Sequence, residues 1–314
     1  MQFSIPSWVK ELVSQVNRTG GEGMPTIVKY FDLFNHAGVL GARGEGFLLE
    51  LTEIVEREEA ELSRRQSHSD HLKSLKYPSL TGKDWKAQLH TWMQTIFDAL
   101  HEMEGSPKTE LPEPPDFNRA QRRLMAKFKL GLFFVPAWKE KDYPKSFVKP
   151  DWKRYLSGAD VTPLPLLGRW IAFEVIQKPN YQDGVYPDDR LMVTIGLKTR
   201  FSHPHSEKGE GDDLVADILP KVSGVFKPLG GNSRIQSVKA FNFMGNLFNW
   251  VTQHTADSFP DLGSTNAVEW CENRCGSQGA LIVGHTGDGG LAYVNDYWSG
   301  NRLVNIAFRF LVQF

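Results

Sequence analysis

Cys271 and Cys275 stand four positions apart and are the only cysteines in the chain. Two thiolates at short spacing are half of a tetrahedral zinc site. No second Cys or His pair follows at finger spacing, and two cysteines give no disulfide framework. The pair is therefore expected to pack as small side chains, or to pair under oxidation, rather than bind metal, in a protein made in a reducing cytoplasm. His203 and His205 flank Pro204 in a polar stretch. Metal binding there lacks a carboxylate or Cys partner at supporting spacing, so a surface loop is expected. His68, His71, His90 and His101 are read as surface histidines, the first two in a Ser-rich loop. No Ser-His-Asp or Cys-His order has supporting context, so the sequence offers no catalytic residue, metal ligand or cofactor site.

The chemistry that does concentrate in one place is the chemistry of contact. Between Gly279 and Phe314 the chain gathers His285, Thr286, Asp288, Tyr293, Asn295 and Asp296, then Tyr297, Trp298, Asn301, Leu303 and Val304. Tyr and Trp supply rigid contact area, while Asn, Ser and Gly supply adaptable hydrogen bonds and backbone freedom. An ordinary turn-rich β region with surface aromatics would share that composition. Two apolar runs, Ala280–Val283 and Ile306–Val312, read as core strands that fix the ends of a loop over about 284–304. Ile282, Val283, Ile306, Phe308 and Phe310 are then core residues, and Asn295 to Asn301 is exposed. Arg309 is the one charge in the closing strand.

Upstream, residues 1 to about 130 read as helices. Trp8, Leu12 and Val16 follow Ser7 at helical spacing; Ile27, Phe31 and Phe34 follow Pro25; Phe47, Leu51, Ile54, Val55 and Leu62 mark a third face. Thr81 and Asp84 resemble a capping box ahead of the stripe Trp85, Leu89, Trp92, Met93, Ile96, Phe97 and Leu100, a core face rather than a cofactor box. Residues 105–116 are Pro-rich and read as a linker or extended wrap. A basic helix at roughly 117–129, with Arg119, Arg122, Arg123, Lys127 and Lys129, presents a solvated face and leads into a strand at Leu130–Pro136. Strands are expected at Trp170–Ile176 and Leu191–Leu197, and a helix bent at Pro220 over Leu214–Phe226.

Two motifs carry a family resemblance. Phe243-Met244-Gly245-Asn246-Leu247-Phe248-Asn249-Trp250-Val251 is similar to the Met-x-Gly-Asn-x-x-x-Trp-Val signature of the formylglycine-generating-enzyme branch of the C-type lectin fold. The Gly-rich turn Gly289-Gly290, then Ser299-Gly300-Asn301-Arg302 and Asn305-Ile306-Ala307-Phe308-Arg309, resembles the ending of that branch. The variable proteins of diversity-generating retroelements end in the same way. The resemblance spans the C-terminal half and is silent about the first half. It implies a C-type lectin-like domain at 131–314 with its variable-type region at 279–314. With the helical region at 1–104 and the Pro-rich linker and basic helix at 105–130 read from the residues themselves, the expected chain is α+β. It also implies a buried Trp250, with Gly245-Asn246 in a turn leading to it.

The function implied is ligand binding by a hypervariable surface, with a protein or glycan as partner and no enzyme activity. The alternative is a formylglycine-generating-enzyme-like or related oxygen-using enzyme; a purely structural component, as of a virion, is a third. The copper-binding thiols of that enzyme family lie in the Gly-rich region after the core strand, whereas Cys271 and Cys275 precede it. The His-x-x-x-His-x-Glu motif of a related iron enzyme class has no counterpart here. Composition narrows the partners further. Formal net charge is −1 in 314 residues, with 40% hydrophobic and 23% charged side chains, so no global field draws the chain to nucleic acid or an anionic membrane. No apolar window approaches the length of a membrane span. The start MQFSIPSWVKELV lacks the features of a signal peptide, so display on a virion or cell surface would use another export route.

Overall fold

A computed structural model describes residues 69–151, 167–206, 211–276 and 278–314. The helices expected over 1–68, and His68, lie outside the described residues. Residues Ser74–Phe314 form one unit by backbone contacts, and this unit is α+β. Among the described residues its α-helices and strands are α1 (Trp85–Glu104), α2 (Arg119–Lys127), β1 (Leu130–Val135), β2 (Arg169–Glu174), α3 (Arg190–Thr194), α4 (Leu219–Phe226), β3 (Asn232–Ile235), α5 (Val238–His254), β4 (Val268–Cys275), β5 (Gly279–His285), β6 (Gly290–Trp298), β7 (Ile306–Phe308) and β8 (Phe310–Gln313).

The strands form two four-stranded sheets, ordered β1-β2-β8-β3 and β6-β5-β4-β7. All pairs are antiparallel except β4 with β7. The apolar run Ile306–Val312 is thus two strands in two sheets, not one. The chain leaves the second sheet after Phe308 and joins the first at Phe310, with Arg309 at the crossing.

The core lies between and around α5, which touches β1 of the first sheet and β4, β5 and β6 of the second. Ser237 caps this helix, its hydroxyl accepting from the Ala240 N–H at 3.1 Å. The Gly245-Asn246 pair sits inside the helix rather than in a turn. Both residues are explained by packing. A Cβ on Gly245 would lie 2.4 Å from Leu291 Cδ2, so glycine lets β6 approach the helix. Asn242 Nδ2 donates to the Leu291 carbonyl at 2.8 Å, and Asn246 exchanges bonds with both backbone groups of Val148 at 2.8 Å. These side chains satisfy backbone groups that would otherwise be buried without partners. Trp250 is buried, as expected, and its Nε1 donates to Glu104 Oε1 at 3.4 Å.

On α1 the stripe from Trp85 to Leu100 is buried throughout. Phe97 meets Phe134 and Trp138 edge-on, at 6.2 and 5.4 Å between centroids. The capping box is not made: Asp84 precedes α1 without a side-chain cap bond, and Thr81 Oγ1 pairs with Ser79 Oγ at 3.0 Å instead. A real capping box opens α2, where Asn118 and Gln121 bond each other's backbone N–H groups. The Pro-rich stretch is an extended strap held by side chains. Gln94 bonds Thr109 O and the Leu111 N–H at 2.9 and 3.1 Å, and the indole of Trp170 donates to Pro112 O at 3.0 Å. Residues 191–197 hold the short helix α3 in place of a strand; Asp189 caps it, accepting from the Met192 N–H. His71 lies in helical residues 69–74, not a loop.

The β1 strand is an edge strand whose six residues are all buried. Tyr77 closes its outer side: the Leu132 N–H donates to the phenol oxygen at 2.8 Å, and the phenol donates back to Leu132 O at 3.3 Å. One side chain therefore takes the place of a missing neighbouring strand. Tyr77→Phe should lower stability by about 1–3 kcal/mol, the cost of leaving a buried backbone group unsatisfied. Urea unfolding of the two proteins measures it, and equal midpoints would show that the plug carries no energy.

Candidate functional site

The stretch expected as an irregular loop is largely a β-hairpin. Residues β5 and β6 pair from Gly279↔Trp298 to Val283↔Val294, with a register shift before His285↔Gly290. A 3-10 turn at Thr286–Asp288 joins them, and Gly289 and Gly290 follow with φ of 119° and 59°, conformations that favour glycine.

Alternation along a strand sorts the candidate side chains into two rows. Tyr293, Asn295 and Tyr297 share one face of β6. Asn295 Nδ2 donates to Tyr293 Oη at 3.2 Å, and the His285 ring lies 5.8 Å from that of Tyr293. His285 Nδ1 is also 3.0 Å from Asp288 Oδ2 across the turn. Tyr293 is 7% exposed, so it is part of the hairpin's frame and not a free anchor. Asp296 and Trp298 share the other face, and both are exposed. Trp298 is 54% exposed, and its six-membered ring lies against Gly300, where a Cβ would be 2.9 Å from Cζ2. The glycine backbone thus supports one side of the indole.

Beyond the hairpin, the Asn301 N–H donates to Trp298 O at 3.0 Å and closes a turn. Asn301 and Leu303 are half-buried, and Val304 is 66% exposed. The expectation that Asn295 to Asn301 is uniformly exposed does not hold: Ser299 is buried, and Asn295, Tyr297 and Asn301 are half-buried. Thr286 and Asp288 are exposed at the turn. The structure therefore brings His285, Asp288, Tyr293, Asn295 and Tyr297 into one row. Trp298 and Val304 are the large apolar side chains offered to solvent nearby.

No family model, curated protein or solved structure matches this chain. The site's meaning must come from its own geometry.

Beneath the hairpin lies a polar cluster that sequence reasoning missed. Arg309 donates to Glu269 Oε1 and Oε2 at 3.0 and 3.1 Å, to Glu174 O at 2.7 Å and to Ile176 O at 3.1 Å. Arg200 makes a bidentate pair with Glu174, both bonds 2.7 Å, and a second pair with Asp189. Tyr186 Oη and Gln236 Nε2 donate to Glu269, and the Phe310 N–H donates to Glu174 at 3.0 Å. The cluster joins β2 and β8 of one sheet to β4 of the other. Lys178 Nζ donates to Ala267 O at 2.5 Å and to Gly284 O at the end of β5. Burial lowers the Lys178 pKa to about 8, against an upward pull from Glu269. Burial alone would raise Glu269, but Arg309 and then Lys178 hold it down at about 2. The charged members Arg309, Arg200, Glu269 and Glu174 are each bonded by several neighbours, which is the arrangement of a structural network; only the Gln236 Oε1 among the cluster's buried side-chain atoms is left without a partner. The signals were present: Arg309 and Glu174 are charges inside apolar strands.

Cys271 is fully buried and burial pushes its thiol well above the usual value; Cys275 is half-buried and also raised. Among the described residues, no group of three or more His, Cys, Asp and Glu side chains is placed to hold a metal. His205 is 2% exposed, which overturns the surface-loop reading for that residue. His90 Nε2 is 3.2 Å from Leu111 O and helps hold the strap. Two open clefts, of about 340 and 400 Å³, lie beside Lys127, Arg190 and Val193 and beside Lys86, His90 and Glu113; no hairpin residue lines either. No described helix is long and apolar enough to cross a membrane.

Proposed function

We propose that this chain is a ligand-binding protein that presents the β5–β6 hairpin and the 299–305 turn as a recognition surface. The scaffold is read as a C-type lectin-like fold of the formylglycine-generating-enzyme type, used as in the variable proteins of diversity-generating retroelements. The ligand is a protein or a glycan. The observation that carries the reading is the contrast within one short stretch. Ile282, Val283, Ile306, Phe308 and Phe310 are at most 1% exposed, while Trp298 and Val304 between them are 54% and 66% exposed. An aromatic ring supported by glycine, beside Asp296 and Asn301, has the composition of a contact anchor with polar surroundings. The raised thiols, one buried at Cys271 and one half-buried at Cys275, weigh against the alternative of a copper-using enzyme of the same fold. Display on a virion or cell surface is consistent with this role.

The test is a library randomised at 285, 286, 288, 295–298, 301, 303 and 304, selected against an immobilised globular protein of known structure. Substitutions at the exposed positions 286, 288, 296, 298 and 304 should each change stability by under ~0.5 kcal/mol and those at the half-buried positions by more, so most members varied at the exposed set should fold, and selection should enrich binders. Trp298→Ala in a selected binder should cost ~2 kcal/mol or more of affinity at unchanged Tm. Position 293 is left out because Tyr293 is buried, and randomising it should unfold many members. A library that mostly fails to fold would make these positions core and end the binding reading.

A further inference from the structure

We propose that His205 is an acid-sensitive latch beneath the 299–305 turn, holding that turn while its imidazole is neutral and releasing it on protonation. The backbone N–H of His205 donates to Ser299 O at 2.8 Å, the point where β6 gives way to the turn carrying Asn301 and Val304. The Pro204 carbonyl accepts from the Leu214 N–H at 2.7 Å, and the Trp270 indole donates to His203 O at 3.1 Å, so the segment is pinned from two further sides. The imidazole lies 5.7 Å from the Trp270 ring. His205 and Ser299 are 2% and 1% exposed, and neither ring nitrogen nor Ser299 Oγ makes a hydrogen bond of good geometry.

Among the described groups around this ring, only the Cys271 backbone favours a positive charge on it, and no carboxylate is free to pair with it. On β4, Arg274 is itself a cation and donates to Ser206 Oγ at 2.7 Å. The Cys271 thiol is neutral and buried, and Glu272 is engaged by Arg234 at 2.9 Å. On the following segment Asp213 accepts from the Val215 and Ala216 N–H groups, and Asp212 is engaged by Lys221 at 3.1 Å. From the end of β6, Ser299 is bonded to the His205 backbone. Glu207 and Glu210 lie outside the described residues. Burial, then Arg274, lowers the His205 pKa to about 4, against a smaller upward pull from the Cys271 backbone. A protonated ring is accommodated by moving the 203–206 segment toward water, which breaks the bond to Ser299. Ligand release at acid pH would follow if the binding reading of the hairpin holds; the latch itself does not depend on it.

Hydrogen-exchange mass spectrometry on the full chain, corrected for intrinsic exchange, tests it without any ligand. With the ring at about 4 when latched and at its ordinary 6.5 when released, opening of residues 299–305 should rise roughly 30-fold between pH 7.5 and 5. His205→Gln, which stays neutral, should abolish that rise. Equal protection at both pH values, or an unchanged rise in the variant, overturns the latch. Should the variant not fold, histidine NMR of the wild-type chain decides: the His205 ring should remain neutral at pH 5.5, and titration near its ordinary value overturns the proposal. A flat exchange result leaves the binding face standing, and a failed library selection leaves the latch standing.

Discussion

Arg309→Met is expected to lower the unfolding free energy by about 3–5 kcal/mol, the usual consequence of removing one partner from a buried ion pair. Both side chains of the Arg309–Glu269 pair are fully buried. Methionine fills much of the volume but leaves Glu269 with only Gln236 and Tyr186 as direct donors, and leaves the Glu174 and Ile176 carbonyls without theirs. Arg309 stands where the chain passes from the second sheet to the first, so the loss falls on the join between the sheets. The pair also sets an acid limb. Glu269 is held at about 2 against an ordinary value of 4.5. Its contribution is therefore complete above pH 4.5 and is lost as pH falls from 4.5 toward 2, amounting to roughly 3 kcal/mol. Arg309→Met should shrink that limb and move it to higher pH. Adding Glu269→Gln should restore part of the stability, and the double-mutant cycle gives the coupling. Urea unfolding at pH 7 and pH 4 measures all of it. A single variant within 1 kcal/mol of wild type would mean that the network is not what joins the sheets.

Much of the frame was legible because period and burial coincide. Leu130–Val135 is apolar throughout and is buried on both faces; the α1 stripe repeats at helical spacing and is buried along its length. Legibility failed where tertiary contacts overrode local pattern. Leu191–Leu197 has the apolar, β-branched composition of a strand, yet Asp189 caps a helix there while its carboxylate also binds Arg200. The family resemblance put Gly245-Asn246 in a turn, and the approach of Leu291 explains a glycine in a buried helix instead. The candidate face shows the same limit. Its residue types suggested contact, but the strand β6 fixes which of them turn outward, and it sent Tyr293 inward. The polar cluster required pairing residues more than a hundred positions apart, such as Glu174 with Arg309, which no local window contains.

Phe308→Ala should cost about 3–5 kcal/mol, the range for deleting a fully buried aromatic ring. Phe308 has no exposed surface. It is the last residue of β7, paired with Trp270 of β4 in the parallel register. Its ring lies 5.2 Å from Phe310 across the sheet crossing and 5.8 Å from His203, and the Arg200 guanidinium is 5.9 Å from its centroid. Alanine would therefore leave a cavity touching both sheets, the 203–206 segment and the buried cation, with little freedom for the surroundings to collapse. Phe308→Leu, which keeps most of the volume, should lose far less. Position 304, four residues earlier, provides the contrast: Val304→Ala should change stability by under ~0.5 kcal/mol because that side chain is exposed. Thermal and urea unfolding of the three variants set frame against surface within one short segment. Equal losses at 304 and 308 would remove the division on which the recognition surface rests.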